Sequence, residues 1–87
     1  MRKSTYDRFT KMAIGVLSQI PQISKIDEIK FKKYTQSEIN EFLFQCHELG
    51  YVKFIDAYRD ANATPHFEHL IPPGLTISGY QFLNSLY

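Results

Sequence analysis

Lysines at positions 30, 32 and 33 fall within four residues of one another. Ammonium groups at that spacing can bridge neighbouring phosphates of a polyanion. Gln36, Ser37 and Asn40 follow directly, and such side chains at the start of a helix can donate to and accept from base edges. Together Lys30, Lys32, Lys33, Gln36, Ser37 and Asn40 form a candidate DNA-binding set. A second set overlaps its far end. Glu41 and Glu48 flank Phe44, and a large aromatic among carboxylates is chemistry suited to anchoring a basic protein partner. The alternative to both is a solvated helix face with no partner.

Other residues carry weaker chemistry. His66 and His69 are three apart on an expected strand, so they point to opposite faces and do not converge on a metal. Cys46 and His47 are adjacent on an expected helix and diverge by about 100°, which separates a thiol from a would-be base. Glu38, Glu41 and Glu48 have no phosphate-cradling glycine loop beside them. The expectation is therefore no catalytic residue, no metal, no cofactor and no small-molecule substrate.

These side chains need elements to position them. Tyr6, Phe9, Ala13, Val16, Leu17 and Ile20 recur at helical spacing, so a first helix is expected over 4–19, capped by Ser4 or Thr5 and stopped before Pro21. Gly15 inside it points to a close packing contact. A short second helix is expected over 24–31, capped by Ser24 and turning Ile26, Ile29 and Phe31 inward. The third helix is expected over 36–49. Thr35 and Glu38 form a capping box, Ile39, Phe42, Leu43, Cys46 and Leu49 make one apolar stripe, and Gly50 ends it. At about 100° per residue, Ser37, Glu41, Phe44 and Glu48 lie opposite that stripe.

Tyr51–Tyr58 is rich in aromatic and branched residues and reads as a strand; His66–Ile71 reads as its return. The polar loop between them carries Arg59, which the adjacent Asp60 is expected to cancel. A last helix follows from Thr76, with Ile77, Tyr80, Phe82, Leu83 and Leu86 available to pack. Helix, short helix, helix, hairpin, helix is the order of a winged helix-turn-helix, an α+β fold in one domain over 1–87.

Length and composition agree. The chain has 87 residues, 15% of them aromatic, which suits one small core and leaves little room for a deep substrate cleft. Net charge is +1, but residues 1–33 hold eight Lys/Arg against three acids, and residues 34–87 hold two against six. Arg2, Lys3, Arg8 and Lys11 are expected to extend the basic flank of the lysine run. One cysteine rules out an internal disulfide. No apolar run follows the basic N-terminus, and none reaches the ~20 residues of a membrane span. A cytoplasmic protein is the expectation.

LGYV at 49–52 and LTISGYQFL at 75–83 carry a likeness to a known family. With Leu75, Thr76, Gly79, Phe82 and Leu83 in place, residues 35–87 resemble the winged-helix proteins of the YjcQ type, small proteins of Gram-positive bacteria and their phages. The resemblance implies the fold and a phage or prophage setting. It implies no activity and transfers no catalytic residue. The expected function is that of a small DNA-binding regulator of transcription, with duplex DNA as partner. The alternative is a protein-interaction module, joining another protein or a second copy of the chain as a homodimer.

Overall fold

A computed structural model describes the backbone of residues 3–87 and the side chains from residue 8 onward. Arg2 and the side chains of Lys3, Ser4, Thr5 and Tyr6, which carried expectations above, lie outside the described set. Among the described residues the chain forms a small α+β domain with three α-helices and antiparallel two-stranded pairing. In chain order the elements are α1 (Lys3–Leu17), α2 (Gln36–Glu48), β1 (Val52–Lys53), β2 (Asp56–Arg59), β3 (Pro65–Glu68), β4 (Gly74–Leu75) and α3 (Ile77–Ser85).

The core is built from the stripes that the spacing marks out. Ala13, Val16 and Leu17 of α1 meet Ile39, Phe42, Leu43 and Cys46 of α2, all buried. Phe9 sits edge-on to both Phe42 and Phe82, and Phe82 stacks on Tyr51 at 4.7 Å. That aromatic chain joins all three helices to the root of β1. Gly15 brings α1 against the Phe31 ring: an added Cβ would lie 2.5 Å from it. Gly79 does the same for α3, where a Cβ would overlap the Tyr51 carbonyl oxygen.

The helix ends follow local chemistry. Thr35 accepts from the Glu38 amide while the Glu38 carboxylate accepts from the Thr35 amide, completing the capping box. Gly50 takes φ +78° just past α2, a conformation costly for residues with a Cβ. Thr76 caps α3 by accepting from the Gly79 amide.

Several expectations are corrected. The short helix over 24–31 is only a 3-10 turn at Ile26–Glu28, with no side-chain cap from Ser24. Ile29 already has extended backbone angles, and the Gln19 side chain takes up both backbone polar groups of Lys30, so the helix cannot propagate. Ile26 and Ile29 are nonetheless buried. The single strand Tyr51–Tyr58 is broken at Phe54, whose φ is +69°. Its two parts pair separately: β1 with β4, and β2 with β3. Leu70 and Ile71 therefore lie in the β3–β4 loop, not in a strand. Leu49, Ile77 and Tyr80, expected to pack, are exposed.

Candidate nucleic-acid interface

Lys30, Lys32 and Lys33 are all exposed, and among the described residues no carboxylate pairs with any of them. Their backbone is held from two sides. The Gln19 side chain donates to the Lys30 carbonyl at 2.7 Å and accepts from the Lys30 amide at 3.1 Å, as a neighbouring strand would. Phe31 turns inward against Gly15 and meets Tyr34 edge-on at 5.0 Å. The lysines thus project from a fixed turn that leads into the capped start of α2. Gln19 was missed in the sequence because its role depends on a contact eleven residues away.

Arg8 does not extend this flank as expected. Its guanidinium pairs with Glu38 and lies 5.4 Å from the centre of the Tyr34 ring. Lys11 is exposed.

The three polar residues at the start of α2 are divided. Gln36 donates to Asn40 at 3.0 Å, and both line a groove between α2, the 3-10 turn and β3. The charged groups of that groove are Lys25, Asp27 and Glu68, which leaves it without a cationic bias. Ser37 faces a separate hollow against α1, beside Phe9 and Gln45. The lysine run lines neither.

The middle of α2 is not open. Arg59 donates from both terminal nitrogens to the Glu41 carboxylate and covers the Phe44 ring, its guanidinium carbon 4.2 Å from the ring centre. Phe44 is half-buried; Glu48 stays exposed. The Arg59 hydrogen bonds hold the Glu41 carboxyl below the usual carboxylate range, and Glu41 raises Arg59 in return. Arg59 is therefore not cancelled by Asp60. Asp60 instead closes the β2–β3 turn, bonding His66 at 2.7 Å and accepting from the Thr64 and Asn62 amides. Those bonds, His66 first, hold the Asp60 carboxyl below its usual range.

The histidines go separate ways. His66 stacks on Tyr58 at 5.2 Å, while His69 bonds to Ile26 and Ile71. Among the described residues no three His, Cys, Asp or Glu side chains gather as a metal set. Cys46 is fully buried, and burial pushes its thiol up to about 12. Its sulfur belongs to the core. No described helix is long and apolar enough to cross a membrane.

No protein-family model, curated protein or solved structure matches the chain.

Proposed function

We propose that the chain is a winged-helix regulator of transcription that binds duplex DNA, with Lys30, Lys32 and Lys33 contacting phosphates and the first turn of α2 offering Gln36 and Ser37 to the bases. The observation that carries this reading is the lysine turn. Three exposed cations without carboxylate partners among the described residues run from a braced backbone into a capped helix. Phosphate neutralisation by such groups supplies most non-specific affinity. The order α1, turn, α2, hairpin, α3 supports the winged-helix assignment, as does the resemblance of residues 35–87 to YjcQ-type proteins, which also supports a phage or prophage setting.

The reading that α2 anchors a protein through Glu41, Phe44 and Glu48 has less support. Arg59 already occupies Glu41 and covers Phe44. The same pairing neutralises a carboxylate that would otherwise repel phosphate.

Fluorescence anisotropy with a labelled duplex, read over a salt series, tests the proposal. Each phosphate-contacting lysine replaced by alanine is expected to lower the salt slope by roughly 1. Unchanged binding in a folded Lys30→Ala, Lys32→Ala, Lys33→Ala triple variant removes this flank as the contact. No duplex binding by the unaltered chain at low salt removes DNA as the partner.

A further inference from the structure

The hairpin of β2 and β3 has two unlike faces. Pro65, buried, and Phe67, half-buried against the core, turn inward with Ala57. Asp56, Tyr58, His66 and Glu68 alternate with them and are all exposed. On this outer face Asp56 stands directly opposite Glu68 in the register. Like charges in that position disfavour the strand pair. Among the described residues neither carboxylate has a cationic partner. The next cross-strand pair along is the Tyr58–His66 stack.

Beside the two carboxylates lies a hollow lined by Phe54, Ile55, Leu70 and Ile71. Leu70 is fully exposed, at 104%, and Phe54 and Ile71 are each 53% exposed. The backbone that presents them is held in place. His69 donates from Nδ1 to the Ile71 carbonyl at 2.9 Å and accepts at Nε2 from the Ile26 amide at 3.3 Å. Pro72 and Pro73 follow at once. Phe54 keeps a left-handed backbone that a bulky side chain rarely adopts, a strain of the kind that gathers at working surfaces.

We infer that this outer face docks a segment of a partner protein in which a lysine or arginine adjoins an aliphatic side chain. The cation sits between Asp56 and Glu68 with the Tyr58 ring beside it, and the aliphatic group enters the hollow next to Leu70. Two carboxylates against one cation, Lys53, whose ammonium lies 5.0 Å from the centre of the Phe54 ring, select this occupant by charge complementarity. Duplex DNA would bring phosphates against the two carboxylates. A two-fold contact whose axis passes through this patch would set the same carboxylates against their own images. The inference does not rest on the DNA reading, since no residue of the lysine turn takes part.

The test is a titration of ¹⁵N-labelled protein with three capped synthetic peptides: alternating arginine and leucine, alternating arginine and serine, and alternating glutamate and leucine. The arginine–leucine peptide is expected to shift amides around Phe54, Asp56, Glu68, Leu70 and Ile71. The arginine–serine peptide should bind about tenfold more weakly, and the glutamate–leucine peptide should not bind. Leu70→Ser, and Asp56→Asn combined with Glu68→Gln, should each weaken the arginine–leucine peptide about fivefold or more. These side chains are exposed, so the variants keep the fold, which their amide spectra check. Equal binding by the variants, shifts centred on another face, or a self-association lost in Leu70→Ser overturns the inference. Duplex binding that the triple lysine variant loses and Leu70→Ser keeps leaves it intact.

Discussion

Arg59, at the end of β2, grips Glu41 of α2 with two parallel hydrogen bonds of 3.0 Å each, across 18 residues of sequence. The fork-to-fork geometry fixes direction as well as distance. It ties the tip of the hairpin to the outer face of α2 and lays a flat guanidinium over Phe44. A helix face that reads from sequence as acidic and aromatic thereby becomes a partly covered one, with Glu41 paired and Glu48 left exposed.

The pair sets a pH dependence. Arg59 holds the Glu41 carboxyl below its usual range in the folded chain. A carboxyl depressed on folding contributes stability above its unfolded value, and that contribution fades as pH falls through the folded value. Carboxyl-carbon NMR should therefore show Glu41 titrating below the ordinary glutamate range. Arg59→Ala should return Glu41 to the ordinary range; a Glu41 curve unmoved by that change would mean that the two groups do not pair in solution.

Phe42 is 4% exposed and touches the Phe9 ring edge-on at 5.0 Å. Phe42→Ala should cost roughly 3–5 kcal/mol in urea unfolding, from lost burial and the cavity left behind. Gln45, exposed on the same helix, is the comparison, and Gln45→Ala should stay within about 0.5 kcal/mol.

The two helix glycines should respond unequally to alanine. At Gly79 the new methyl would strike the Tyr51 carbonyl, which already accepts from the Thr76 amide at 3.0 Å. Backbone cannot yield cheaply, so Gly79→Ala should cost roughly 2–3 kcal/mol. At Gly15 the obstacle is the half-buried Phe31 ring, a side chain that can yield more cheaply than backbone. The gain in helix propensity, about 1 kcal/mol, offsets part of that clash. Thermal melts of the two variants should rank Gly79→Ala well below Gly15→Ala.

Cys46 should be chemically silent in the folded chain. Burial removes access and raises its thiol to about 12, so almost no thiolate is present at neutral pH. A disulfide exchange reagent at neutral pH should label it only after denaturant is added. Rapid labelling of the native protein would place Cys46 outside the core.

The features legible in the sequence are those decided within one turn of helix or by a single steric demand. The Thr35–Glu38 capping box, the Gly50 stop, the Thr76 cap and the tight approach at Gly15 are all of this kind. The stripe Ile39, Phe42, Leu43 and Cys46 follows from periodicity alone. The second helix was misread because nothing near Lys30 announces that Gln19 will occupy its backbone. Phe54 breaks the expected strand because a strand-forming residue sits in a left-handed position that its residue type does not announce. In the candidate site the lysine run was legible as a charge cluster. The loss of Arg8 to Glu38 and of Glu41 to Arg59 was not, because both pairings span long stretches of chain.

The break at Phe54 also bears on the order in which the molecule assembles. It divides the hairpin into one ladder of two residue pairs and another of four. Isolated two-stranded ladders of that size are marginal in water. The longer one gains its support from α2, on which β3 packs and to which Arg59 reaches. The hairpin is therefore expected to join the packed helices late on the folding route. Phe67→Ala should then quicken unfolding and leave the folding rate nearly unchanged, whereas Leu43→Ala should slow folding itself.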